Sequence, residues 1–124
     1  NPEIRFSTGD AMVIRLRYRA ERRVEDPVFG FGIYDHMGLM VYGTNTRLLK
    51  VDIPYVEGEG TVEFHLPKLN LLDGRYYLSV AAHTRDGQVN YHWLDKLFFF
   101  DVVSPGRESG YLAMDCRVVL HTPS

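Results

Sequence analysis

From Asp10 to Ala20 the chain alternates: Met12, Ile14, Leu16, Tyr18 and Ala20 fall on one side, Arg15, Arg17 and Arg19 on the other. Such a period of two fits an extended strand with one dry and one wet face; a helix would scatter these residues around its axis. The pattern recurs. Val28 to Asp35 sends Phe29, Phe31 and Ile33 one way and Val28, Gly30, Gly32 and Tyr34 the other. Thr61 to Leu66 points Val62, Phe64 and Leu66 inward, and Arg75 to Thr84 does the same with Tyr76, Leu78, Val80 and Ala82. Further strands are expected at Leu39–Thr44, Val89–Trp93, Leu97–Val103 and Tyr111–Leu120. The facing of Leu39–Thr44 stays open, because it depends on whether the preceding turn carries a bulge.

Turn chemistry separates these runs. Asp35-His36-Met37-Gly38 reads as a short turn, Asp86-Gly87 as a two-residue hairpin, and Ser104-Pro105-Gly106 as a breaker. Glu21-Arg22-Arg23 reads as a charged loop, Asp52-Ile53-Pro54 and Glu57-Gly58-Glu59-Gly60 bracket another, and Asn70–Gly74 is one helical turn at most. About eight short strands with turns at intervals of roughly ten residues describe an all-β, antiparallel, immunoglobulin-like sandwich; a closed barrel is the alternative. At 124 residues the expectation is a single domain, 1–124.

Composition narrows the function. With 45% hydrophobic and 24% charged residues the chain is expected to fold rather than stay disordered. A net charge of -2 and a pI near 6.2 argue against a protein built to meet phosphates, so nucleic acid is not expected as a partner. No uninterrupted apolar run is long enough to span a membrane, and no secretion leader is visible at Asn1-Pro2. The single cysteine, Cys116, excludes an internal disulfide, fits a reducing compartment, and is expected as a buried or half-buried thiol.

No enzyme motif is present: there is no phosphate-binding glycine loop, no Gly-x-Ser-x-Gly elbow and no His-Glu-x-x-His pair. Asp35, Asp73 and Asp86 sit in turns, where carboxylates cap backbone groups rather than act as catalytic pairs. No catalytic residue, cofactor or metal is therefore expected. A metal on His83 and His92 would lack further ligands.

The candidate site comes from strand facing. Pairing outward from Asp86-Gly87 sets His83 against Asn90 and Ala82 against Tyr91. One face then carries Tyr77, Ser79, Ala81, His83, Asn90 and His92, and Trp93 turns inward. If Val28–Asp35 lies beside Arg75–Thr84, Gly30 and Gly32 adjoin Ser79 and Ala81 and hollow the sheet into a trough. Tyr34, Tyr77, His83, Asn90 and His92 rim it. Tyrosine rings suit the C–H faces of sugars, and histidine and asparagine suit their hydroxyls. The carbohydrate-binding candidates are thus Gly30, Gly32, Tyr34, Tyr77, Ser79, His83, Asn90 and His92. The plainer alternative is that the glycines serve only twist or a bulge.

Phe6-Ser7-Thr8-Gly9-Asp10, Pro27-Val28-Phe29-Gly30-Phe31-Gly32-Ile33-Tyr34-Asp35 and Gly38-Leu39-Met40-Val41-Tyr42-Gly43-Thr44-Asn45-Thr46 stand in an order that resembles the C-terminal domain of Wzt proteins. Leu72-Asp73-Gly74-Arg75-Tyr76-Tyr77-Leu78 and Phe98-Phe99-Phe100-Asp101-Val102-Val103 extend the resemblance over nearly the whole chain. Wzt proteins are the ATPase subunits of ABC transporters that export O-antigen polysaccharide. The resemblance implies an immunoglobulin-like sandwich that recognises the exported O-antigen polysaccharide in the cytoplasm, beside the inner membrane. It would reach the transporter's ATPase and membrane subunits through a longer parent chain. It also implies a homodimer, in some members formed by exchanging the last strand, here about 110–120. Similar modules occur fused to glycosyltransferases, and a structural or protein-docking sandwich is the alternative from a different class.

Overall fold

Among the described residues, eight strands form two facing sheets: β1 (Arg5–Ser7), β2 (Met12–Glu25), β3 (Val28–Tyr34), β4 (Met40–Asn45), β5 (Tyr55–Leu66), β6 (Gly74–His83), β7 (Val89–Tyr91) and β8 (Phe98–Val103). This computed structural model describes residues 4–83, 89–91 and 98–122, with 89–91 as backbone only. One sheet runs β1-β8-β6-β3-β4 and the other β5-β2-β7. Among the described residues every strand pairing is antiparallel except β1 with β8, so the larger sheet is mixed. The described residues contain no helix.

The alternation in β2 behaves as the sequence requires: Met12, Ile14, Leu16 and Ala20 are buried, and Arg15, Arg17 and Arg19 are exposed. Aromatic pairs bind the sheets together across the core. Phe31 of β3 meets Phe64 of β5 edge-on at 5.0 Å, and Tyr18 of β2 tilts against Phe29 of β3 at 5.4 Å. Phe29 and Phe100 lose all contact with water, each such burial contributing about 1.5–3 kcal/mol. Tyr76 is equally buried, stacks on Phe100, and donates its hydroxyl to the Leu72 carbonyl at 2.7 Å. A tyrosine near the start of a strand, tied back to the preceding corner, is a hallmark of immunoglobulin-like sandwiches.

Several expectations need correction. Glu21–Arg23 is not a loop and Glu57–Gly60 does not bound one, because β2 and β5 run through them. The pairing jumps from Ala20↔Gly58 to Val24↔Val56, setting three residues of β2 against one of β5. This bulge leaves the charged residues in water without ending the strands. β1 was not foreseen, since three residues are too few to show a period. Asn70–Gly74 is a corner with Leu71 and Leu72 buried rather than a helical turn.

β7 pairs with β2 (Tyr18↔Tyr91, Arg19↔Asn90, Ala20↔Val89) and so lies in the smaller sheet. β3 pairs with β6 from Tyr77 to His83, and β8 pairs with it from Gly74 to Leu78. β6 and β7 thus lie in different sheets, and β7 serves as the partner of Tyr18–Ala20 of β2. The expected pairings of His83 with Asn90 and Ala82 with Tyr91 are therefore not made. Asp86-Gly87, His92 and Trp93 lie outside the described residues.

The expected last strand also differs. Leu112 makes an isolated bridge to Leu71, and the Ala113 amide bonds the Asn70 carbonyl at 2.8 Å. Beyond that point the described residues join neither sheet. Met114, Val118 and Leu120 are more than two-thirds exposed, at 71%, 87% and 83%. Cys116 is exposed rather than buried, because the segment that carries it leaves the sandwich.

Candidate functional site

β3 and β6 lie side by side in the register Val28↔His83, Gly30↔Ala81, Gly32↔Ser79, Tyr34↔Tyr77. Directly paired residues share a face, so small residues of the two strands form one low strip. A cavity of about 290 Å³ opens above it, lined by Gly30, Gly32, Tyr34, Ser79 and His83 among others. Five of the eight candidate residues thus meet in one place. Tyr77 shares the face but lies outside the cavity, tilted against Phe99 of β8 at 6.2 Å. Asn90 is a correction: its backbone pairs with Arg19 in the opposite sheet, so it does not rim the trough. His92 lies outside the described residues.

A side wall comes from β4, whose facing the sequence left open. Pairing slips between Ile33↔Tyr42 and Tyr34↔Met40. This bulge directs Met40, Gly43 and Asn45 to the trough side, and Met40, Gly43, Asn45 and Leu48 line the cavity. Without the bulge position no sequence argument could choose among these residues.

The two glycines are occupied differently from what a bare trough suggests. A Cβ on Gly32 would stand 2.8 Å from the ring of Tyr34 and 3.1 Å from the Met40 methyl. Tyr34 therefore lies down over Gly32 and forms part of the floor. A Cβ on Gly30 would stand 2.8 Å from Asn45 Cβ and 2.9 Å from the Thr44 carbonyl oxygen. Glycine here permits close approach of the β4 backbone. Continuing past Tyr34, the same face carries Tyr77 and Phe99, an aromatic strip across three strands with Arg75 stacked over Phe99 at 4.3 Å. Phe99 was missed because its two aromatic neighbours, Phe98 and Phe100, hide its outward facing in the sequence.

Asp35, at the end of β3, closes the β3–β4 turn. Its carboxylate accepts the amides of Met37 and Leu39, both at 2.9 Å, and the hydroxyl of Tyr111 at 2.5 Å. The Tyr111 bond and these amides hold the Asp35 carboxyl below the usual carboxylate range, and the same bond pushes the Tyr111 hydroxyl up. Gly38 completes the turn at φ 84°. Asp73 accepts the Ser104 amide at 3.3 Å. Both acids cap backbone, as their turn positions predict. The arginine face of β2 belongs to the other sheet, where Arg15 pairs with exposed Glu63 at 2.7 Å.

Among the described residues no helix is long and apolar enough to cross a membrane. No curated protein matches the chain. The chain is similar to the crystal structure of the C-terminal domain of wzt, with a TM-score of 0.74 and 18% identity over 98% of this chain and 75% of that one. At that identity the likeness speaks for the fold, two facing β-sheets. A family model described as the Wzt C-terminal domain matches residues 1–114. The chain belongs to the Wzt C-terminal domain family.

Proposed function

We propose that this chain is a non-catalytic polysaccharide-binding module that recognises an O-antigen glycan for export by an ABC transporter. The observation that carries the reading is the cavity over Gly30, Gly32 and Ser79, with tyrosine at one end and Asn45 and His83 as hydrogen-bonding walls. A sugar needs this combination: a flat apolar surface for its C–H face and mixed donors and acceptors for its hydroxyls. Asp35 and Asp73 are engaged with backbone groups, which supports binding without hydrolysis. Family membership supports a place in an O-antigen transporter. The module works on the cytoplasmic side, at the inner membrane, through a parent chain that joins it to the ATPase and membrane subunits.

It acts as a homodimer. The segment 114–122 lies along neither sheet, and its alternating Met114, Val118 and Leu120 expose their side chains. A segment with exposed apolar side chains and a backbone that joins neither sheet gains by pairing with a second copy.

Calorimetric titration with O-polysaccharide from the strain that encodes the chain tests the binding reading. Ser79→Trp fills the trough from its floor and is expected to abolish binding while melting cooperatively. Arg17→Ala, on the opposite sheet, is expected to bind as wild type. A folded Ser79→Trp protein with full affinity, or loss of binding in Arg17→Ala, would falsify the placement of the site.

A further inference from the structure

A second, larger cavity of about 500 Å³ adjoins the trough, and His83 lines both. It lies where β3 begins and β6 ends, under the loop that follows β4. Its base is Pro27, Val28 and Ile53, and its rim carries Asp26, Arg47, Lys50 and Asp52. Among the described residues none of these four side chains makes an ion pair or hydrogen bond.

The loop is built rather than slack. Thr46 is buried and exchanges bonds with Phe29, its amide donating to the Phe29 carbonyl at 2.8 Å and its hydroxyl accepting the Phe29 amide at 3.2 Å. The Lys50 and Val51 amides return to the carbonyls of Arg47 and Thr46, and the Asp26 amide to Pro54. Asp26 and Lys50, at φ 49° and 60°, are the two non-glycine residues with a left-handed backbone among those described, and both line this cavity. Backbone held in that region needs support from its surroundings and gathers at functional sites.

We infer that this cavity is a second sugar subsite, continuous with the trough through His83, which takes a neutral, hydroxyl-rich unit of the same glycan chain. The inference rests on the carbohydrate reading above. Two cations and two carboxylates at one rim supply donors and acceptors in equal measure and leave no net charge to select an anion. The apolar base offers a surface for a ring face. β3 carries the two sites along its seven residues, Val28 at the cavity and Tyr34 at the trough, and at about 3.3 Å per residue that length has room for several sugars of one chain.

The test uses short and long oligosaccharide fractions from mild acid hydrolysis of the same O-polysaccharide, titrated into the full chain. Wild type is expected to bind the long fraction about tenfold more tightly than the short one. In the double variant Arg47→Ala, Asp52→Ala, both at exposed positions, that gain is expected to shrink to about twofold or less with short-fraction affinity unchanged. Asp52→Asn, which keeps volume, is expected to lose part of it. Long-fraction binding that is untouched in the folded double variant overturns the second subsite while leaving the trough in place. A length gain that vanishes in high salt overturns the neutral-sugar assignment. If wild type binds neither fraction, the carbohydrate reading itself falls and the subsite with it.

Discussion

Gly30 and Gly32 stand two residues apart on the same strand and face, yet alanine at each is expected to behave differently. Neither has a left-handed backbone, so the contrast is one of space. At Gly30 the added Cβ meets Asn45 Cβ at 2.8 Å and the Thr44 carbonyl at 2.9 Å. Both belong to the neighbouring strand, whose ladder with β3 must shift to make room. Overpacking of this kind costs about 1–3 kcal/mol, while replacing a strand glycine by alanine returns about 0.5–1 kcal/mol of chain entropy. The net expectation for Gly30→Ala is a loss of about 1–2 kcal/mol. At Gly32 the Cβ meets the far end of the Tyr34 ring and the Met40 methyl, which swing aside on their own side-chain torsions. Gly32→Ala is therefore expected to stay within about 1 kcal/mol of wild type. It lifts Tyr34 off the floor and weakens glycan binding by about 1–2 kcal/mol. Urea unfolding reads the first quantity, provided the slope is unchanged, and calorimetric titration reads the second. If Gly30→Ala is as stable as wild type, or Gly32→Ala is the costlier change, the β3–β4 register or the place of Tyr34 is wrong.

The remaining expectations concern the chain's last segment and acid. The Asp35 carboxylate is stabilised in the fold, so its contribution is present above the ordinary carboxylate range and is lost as pH falls through the lowered native value. Melting temperature is expected to fall on acidification in wild type and to fall less in Tyr111→Phe; parallel curves would remove Tyr111 as the main cause. Deleting the residues beyond Ala113, which spares the Leu71–Leu112 bridge, is expected to leave a folded monomer. Sedimentation showing the same dimer before and after that deletion would rule out strand exchange.

What the sequence determined by itself is the part governed by local alternation. Met12–Ala20 and Val28–Tyr34 could bury one set of side chains only as strands. The facing of Gly30, Gly32, Ser79 and Ala81 follows from the same two-residue period once β3 and β6 are neighbours. Asp35 and Gly38 likewise announce their turn, because a carboxylate cap and a left-handed residue are local needs. The partners of each strand are not local. Asp86-Gly87 reads as a hairpin, yet β7 joins β2, and this moves Asn90 to the other sheet. The bulge that turns Met40 and Asn45 toward the trough is fixed by the fit of β4 against β3. The second cavity unites Asp26, Arg47 and His83 from segments far apart in the chain. Long-range pairing is chosen by the total burial it achieves across both sheets, and no stretch of sequence carries that sum.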